Sequence, residues 1–321
     1  MMSKHVVLAG AAGFLGSHLA ERLVQSGYKV TGLDNFHTGQ AMNLANLMEH
    51  HAFSFVDHDV RQPFSIDCDA VVNFACPASP PAYQANAIGT LKINFHGALN
   101  LLGLAKASRA TFFQASTSEI YGDPDLHPQT EIYRGAVNPI GPRACYDEGK
   151  RVAEALTFEY HRQHSLNVKV VRIFNTYGPR MRVDDGRVVS NFIVQALLGE
   201  NITVYGDGSQ TRSFCYVDDL IEGIFRLFRT DPSITGPMNI GNPVEFTIGE
   251  LAKLVIDITG STSKIISRPL PEDDPRQRCP DISLARRHLG WEPKIALAEG
   301  LLETTRYFDD VLRTRGKGRA A

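Results

Sequence analysis

The sequence is poor in features that mark several large classes of protein. It holds one Trp and five Cys in 321 residues, and Cys68, Cys76, Cys145, Cys215 and Cys279 form no C-x-x-C pair. An odd number of scattered thiols argues against a disulfide framework or a thiolate metal cluster and fits a reducing compartment. Charge of neither sign dominates: 33 Lys+Arg face 35 Asp+Glu, a formal net charge of −2. That balance gives no global attraction to nucleic acid or to an anionic membrane. No apolar run approaches the ~20 residues of a membrane span. Met1–Lys4 lead straight into a strand pattern, so no signal peptide is expected. The eleven His include no H-x-x-x-H or H-E-x-x-H pair, and none is assigned to a metal. Internal repeats and low-complexity tracts are also missing. These absences together predict a soluble, cytoplasmic protein without nucleic-acid or membrane partners.

What is present is a globular balance of 43% hydrophobic and 21% charged residues. The length can bury a full core and suggests two domains, or one large α/β domain with an appendage. Short apolar runs at His5–Ala9, Tyr28–Leu33, Phe53–Val56, Ala70–Phe74, Thr111–Ala115 and Val168–Ile173 read as strands. Helical spacing recurs between them, at Leu15–Gly27, Leu91–Ala107 and Tyr146–His164. Strand alternating with helix predicts an α/β fold, a doubly wound parallel sheet covered on both faces. After about residue 175 the pattern shifts to helices at Val189–Leu198, Val217 to about Phe228, Ile248–Ile258 and Ala298–Leu312. Short strands are expected at Thr203–Tyr205 and Met238–Ile240. The expected division is a first domain over 1–175, to which about 213–242 return, and a smaller C-terminal α/β domain in the rest of 176–321. Arg313–Ala321 is a basic tail expected to fray.

The chemistry-bearing motifs begin with Gly10-Ala-Ala-Gly13-Phe-Leu-Gly16, between the first strand and the first helix. Gly10 would permit the tight turn. Gly13 would let backbone N–H groups reach a pyrophosphate at the helix N-terminus, and Gly16 would let the helix pack against the sheet. The strand–loop–helix context gives this glycine pattern its weight and makes the fold Rossmann-like. Asp34 ends the second strand, where a carboxylate suits a ribose 2′-OH and repels a 2′-phosphate, predicting NAD over NADP. A turn-forming Asp34-Asn35 is the plainer alternative. Tyr146 and Lys150 lie four apart on one helix face, and a neighbouring ammonium favours the phenolate. The run Ser116-Thr117-Ser118-Glu119-Ile120-Tyr121-Gly122 follows a strand at the end that borders the ligand crevice of such sheets. Its hydroxyls could bind a reacting alcohol and Glu119 could serve as acid or base, or the run could equally be a helix N-cap. Arg212, Arg276 and Arg278 are candidate anion ligands.

Together, the glycine loop, Asp34, the Thr117/Tyr146/Lys150 set and Asn175 resemble the extended short-chain dehydrogenase/reductase family over about Lys4–Phe308. The stretches Asn73–Tyr83, Ser116–Pro124, Gly141–Arg151, Ile173–Met181, Asp185–Asn191 and Gly208–Arg212 are similar to its UDP-glucuronate decarboxylase branch. The glycine loop departs from the more usual Gly-Gly-Ala-Gly-Phe-Val-Gly. The resemblance implies NAD-dependent oxidation at C4 of UDP-glucuronate, loss of the C5 carboxylate as CO2, and return reduction to UDP-xylose with NAD recycled. It implies Thr117, Glu119, Tyr146 and Lys150 as catalytic residues. For the cofactor it implies Gly10, Gly13, Phe14, Leu15, Asp34, Asn35, Phe36, Thr38, Gly39, Asp59, Val60, Ala75 and Thr90, with Tyr146 and Lys150. For the nucleotide sugar it implies Ser118, Glu119, Asn175, Arg187, Tyr205, Gln210, Arg212 and Arg276, which makes the C-terminal domain the substrate-binding one. It further implies a homodimer through the Leu91–Ala107 and Tyr146–His164 helices. The alternatives are a nucleotide-sugar 4,6-dehydratase or 4-epimerase, or a catalytically silent NAD-binding scaffold.

Overall fold

In the first strand, β1 (His5–Ala9), Val6 and Leu8 point to one side and Val7 and Ala9 to the other, and all four are fully buried. A strand apolar on both faces must sit inside a sheet covered by helices on both sides. The computed structural model describes residues 4–271, 273, 275 and 277–319. Beside β1 lie β2 (Lys29–Asp34), β3 (Phe53–Asp57), β4 (Ala70–Asn73), β5 (Thr111–Thr117) and β6 (Val168–Ile173). With Met238–Ile240 they form a seven-stranded sheet, in the order Met238–Ile240, β6, β5, β4, β1, β2, β3. Every pairing in it is parallel.

The Phe14–Gln25 and Val217–Phe228 helices cover one face, and Ala98–Ser108 and Ala144–His164 the other. The order reverses between β1 and β4, and in such sheets the ligand crevice opens there, at the carboxyl ends of the strands. Thus Val217–Phe228 and Met238–Ile240 both pack with the first part of the chain. The main apolar core runs unbroken from β1 to Trp291 and Phe308 of the C-terminal part.

That part holds the Val188–Leu197 and Ile248–Thr259 helices and a parallel pair, Ile202–Tyr205 with Ile265–Arg268. A small mixed sheet joins Glu245–Thr247, Thr211–Ser213 and Gln277–Arg278. These two- and three-residue strands escape a periodicity reading because they are too short to show alternation.

Three expectations are corrected. β5 runs two residues further than expected, so Ser116 and Thr117 pair with Arg172 and Ile173. The helix expected over Leu91–Ala107 begins at Ala87 and reaches Ser108 through a π turn at Ile93–Gly97. In that turn the Asn94 amide donates to Thr90 O at 3.1 Å and to Cys76 Sγ at 3.2 Å. The last helix, expected to end at Leu312, runs over Leu297–Arg319. An Arg313–Asp309 ion pair at 2.7 Å and a Thr314 hydroxyl bonded to Asp310 O brace it one turn apart.

A buried ion pair fixes the Ala144–His164 helix to the sheet. Arg172 on β6 grips both oxygens of Glu154 at 3.0 and 2.8 Å. Arg172 also donates to Tyr121 Oη at 2.9 Å, and that phenol donates to Asn239.

Candidate active site

The glycine loop explains the first cavity. Gly10 has φ +83°, and a Cβ there would fall 2.7 Å from the Phe74 carbonyl carbon. A Cβ on Gly16 would fall 1.9 Å from Gly10 O, so the helix reaches the loop only as glycine. Asp34 closes the loop from β2: its carboxylate accepts the Ala12 and Phe36 N–H groups at 2.9 and 2.8 Å. Burial raises the pKa of this carboxyl, and those two N–H groups oppose the rise. The cavity so formed measures about 450 Å³ and is lined by Gly10, Gly13, Phe14, Leu15, Asp34, Asn35, Thr38, Asp59, Val60 and Ala75. Free N–H groups at a helix start, a backbone approach that no Cβ obstructs, and an acid at the far end fit a dinucleotide.

A second cavity of about 500 Å³ adjoins the first, and Leu15, Phe74, Cys76, Ala78, Pro81 and Arg187 line both. Thr117, Ser118, Glu119, Tyr146, Lys150, Asn175, Tyr205, Gln210 and Arg212 line the second. Thr117 comes from the end of β5, where its hydroxyl also caps the next turn by accepting the Glu119 N–H at 3.2 Å. The two readings of this run, active hydroxyl and cap, are therefore compatible. Tyr146 stacks on Tyr83 with ring centroids 5.0 Å apart and lines the cavity together with Thr117. The Tyr83 hydroxyl is buried and makes no hydrogen bond among the described residues.

Lys150 donates to Ala115 O at 3.0 Å, and its ammonium stands 5.8 Å from the Tyr146 ring centroid. Burial lowers the Lys150 pKa. The sequence predicts a Tyr146 phenol made more acidic by this ammonium. Burial instead raises the Tyr146 pKa well above its ordinary value, and the Thr117 hydroxyl only partly opposes it. Desolvation of the phenolate outweighs a cation held several ångströms away.

Glu119 lies between two guanidiniums. Its Oε2 accepts from Arg143 at 2.5 Å and its Oε1 from Arg278, which also donates to Gly122 O. Burial works against ionisation here, but Arg278 and Arg143 outweigh it and hold the carboxyl at about 2. So low an affinity for protons makes Glu119 a fixed anion rather than a proton carrier at neutral pH. Asp147, next to Tyr146, shows the reverse. Burial and then the charge of Glu119 lift it to about 7, with Arg143 and Arg278 opposing.

Some expected residues fall outside both linings. The Phe36 ring packs on Phe55 at 5.1 Å. Gly39 backs onto the Asp34 carboxylate, and the Thr90 hydroxyl donates to Tyr83 O at 3.0 Å from behind the site. Tyr146 and Lys150 line the second cavity rather than the first. Arg276 lies outside the described residues. Arg187 reaches both cavities, paired with Asp185 and 5.7 Å from the Phe14 ring centroid. Sequence reasoning missed Arg180 and Arg182 on the first cavity and Arg143 on the second. Arg143 had a signal, since it precedes Tyr146 by three residues at the start of that helix.

Residues 6–241 match the model of a family described as the NAD dependent epimerase/dehydratase family. UDP-glucuronic acid decarboxylase 1 of Danio rerio is 52% identical over 305 residues, covering 95% of this chain and 72% of the relative. UDP-glucuronic acid decarboxylase 6 of Arabidopsis thaliana is 54% identical over 297 residues, covering 92% and 86%. Among solved structures, a UDP-glucuronic acid 4-epimerase of Bacillus cereus, in complex with UDP-glucuronic acid and NAD, superposes with a TM-score of 0.87. It is 28% identical and covers 96% of this chain and 99% of its own.

Proposed function

The chain belongs to the NAD-dependent epimerase/dehydratase family, and from that membership we propose that it converts UDP-glucuronate to UDP-xylose and CO2. The observation that carries this reading is the joining of two cavities, one on a glycine-rich helix start and one holding Thr117, Tyr146 and Lys150 beside the Arg143–Glu119–Arg278 cluster. Relatives with that activity in their names, 52–54% identical across 92–95% of the chain, support it over the dehydratase and epimerase alternatives.

The chemistry NAD supplies when bound is a reversible two-electron oxidation of the sugar's C4 alcohol. In this reading Tyr146, beside Thr117, takes the C4 hydroxyl proton as a phenolate, a form that burial alone disfavours and that the positive charge of bound NAD would favour. Lys150 supports Tyr146 and the adjoining ribose. Once C4 is a ketone, the carboxyl group on C5 is β to it, and the electrons left by departing CO2 delocalise onto the C4 oxygen. Thr117 and Tyr146 then hydrogen-bond that enolate oxygen until C5 takes up a proton from solvent, and the proton held by Tyr146 returns to the C4 oxygen as C4 is reduced back. Arg143 and Arg278 carry two positive charges against the one negative charge of Glu119, a surplus suited to an anionic sugar. Glu119 positions these guanidiniums. Asn175, Arg187, Tyr205, Gln210 and Arg212 hold the nucleotide diphosphate and sugar.

The proposal extends to a homodimer. Ile88, Leu91 and Phe95, at helical spacing on the Ala87–Ser108 stretch, are 70%, 42% and 39% exposed and give it an apolar face. Sedimentation at micromolar concentration showing only a 35.4 kDa species would refute that extension. A cytoplasmic location belongs to the same proposal, supported by five free cysteines. Among the described residues no helix is long and apolar enough to cross a membrane.

The deciding experiment incubates the protein with UDP-glucuronate and catalytic NAD and identifies the sugar nucleotide by mass and NMR. Loss of one CO2 with xylose configuration is expected. UDP-galacturonate without gas would make the protein an epimerase, and no turnover of any UDP-sugar would favour the silent scaffold.

A further inference from the structure

Away from both cavities, three segments distant in sequence bring a nitrogen, an oxygen and a sulfur donor together. His127 lies in the loop after β5, Glu245 starts a strand of the small mixed sheet, and Cys279 directly follows another, Gln277–Arg278. One ligand atom from each lies within 4.8 Å of the other two. Around a tetrahedral zinc ion such donors stand roughly 3.4–3.6 Å apart, as bond lengths of ~2.0–2.3 Å require. The group is thus about one ångström from the geometry of a zinc site. His127 Nε2 and Glu245 Oε2, now hydrogen-bonded at 2.8 Å, would part slightly.

The frame around the donors is fixed. Gln129 is fully buried and holds Cys279 from both sides: its N–H donates to Cys279 O, and its side-chain Oε1 accepts the Cys279 N–H, each at 2.9 Å. The Thr211 hydroxyl donates to Glu245 Oε1 at 2.7 Å, orienting the carboxylate from behind as outer-shell partners of metal ligands do. The Cys279 thiol is buried and its hydrogen bond goes to Pro243 O at 3.3 Å. Burial first, and then the charges of Glu245 and Asp281, push this thiol up to about 12, while the same two charges suit a bound cation. The His127 side chain is 28% exposed and leaves a route from solvent.

We infer that His127, Glu245 and Cys279 form a zinc-binding site, with water as the fourth ligand, that pins the strand carrying Arg278. A mixed imidazole, carboxylate and thiolate set favours zinc over the hard cations magnesium and calcium. On binding, the zinc–sulfur bond replaces the thiol S–H bond and that proton leaves to solvent, while the His127 Nε2 proton now donated to Glu245 moves to Nδ1 or solvent and frees the nitrogen lone pair for zinc; no electron moves. The ion would touch none of the reacting groups, although the strand it pins carries Arg278, and its test reads metal binding rather than turnover.

The test uses the full chain, stripped with a chelator and titrated with zinc against a chromophoric competitor, then with cobalt as a spectroscopic probe. One tight equivalent per chain is expected, with a thiolate-to-cobalt charge-transfer band. Cys279→Ser should lose that band and weaken zinc binding at least ~10-fold, and His127→Gln should weaken it comparably. If Cys279→Ser fails to fold, the exposed His127→Gln variant decides. No saturable equivalent, a cobalt complex without the thiolate band, or affinity unchanged in His127→Gln would overturn the inference and leave only adventitious binding by surface histidines.

Discussion

Replacing Asp147 by Asn should stabilise the protein progressively as pH rises from 5 to 8. Asp147 is only 6% exposed, one of its oxygens makes no hydrogen bond, and Glu119 faces it as a permanent anion. Its carboxyl titrates at about 7 in the folded chain, against an ordinary value of 3.8. Below the ordinary value both states are protonated, and the favourable contribution of the neutral carboxyl is fully present. As pH climbs toward 7 the unfolded chain releases this proton freely while the fold retains it, so stability falls. Each tenfold mismatch in acidity is ~1.4 kcal/mol, and the complete loss is on the order of 4 kcal/mol. About 3 kcal/mol of that falls between pH 5 and 8. Asn keeps the side-chain volume and cannot ionise. Glu119 does not titrate in this window, because Arg278 and Arg143 hold it at about 2. Urea unfolding of both proteins at pH 5, 6, 7 and 8 measures the difference directly. A difference that stays flat, or that shrinks as pH rises, would refute the account of Asp147 as a buried carboxyl in the field of Glu119.

Tyr146→Phe should keep the fold, judged by circular dichroism, and slow product formation about 10²–10⁴-fold, the usual range for losing general-base catalysis. A folded Phe variant working at the wild-type rate would remove Tyr146 from its role. Calorimetry should find NAD bound more tightly than NADP, since a 2′-phosphate near the partly buried Asp34 carboxylate meets like charge. Equal or tighter NADP binding contradicts this. Glu154→Ala should cost about 3–5 kcal/mol in chemical denaturation by stranding the buried Arg172 charge. A loss below about 1 kcal/mol would mean that water or another group replaces the carboxylate.

The sequence by itself determined the architecture and the glycine-loop wall of the first cavity. Both depend on neighbours in the chain: an apolar run too short and too uniformly buried for anything but an inner strand, three glycines at fixed offsets, an acid ending the next strand. Tyr146 and Lys150 were legible for the same reason, since helix periodicity alone puts them on one face. The π turn at Ile93–Gly97 and the extension of the last helix past Leu312 were not, because paired side chains, Asn94 with Thr90 and Cys76 and Arg313 with Asp309, override propensity there. Charge states lay further out of reach. Tyr146 departs from its expected acidity because burial depends on all the elements packed around it, not on Lys150 one turn away. Glu119 reads as a possible acid or base in sequence, and becomes a fixed anion because Arg143 and, from 159 residues later, Arg278 both fold onto it. Asp147 departs from an ordinary carboxyl in the other direction, because burial and the charge of Glu119 raise it against Arg143 and Arg278. His127, Glu245 and Cys279 share no spacing that a motif search could detect. Local patterns follow from local sterics and periodicity, whereas proton affinities and mixed-donor clusters are sums over groups that only the tertiary fold brings within a few ångströms.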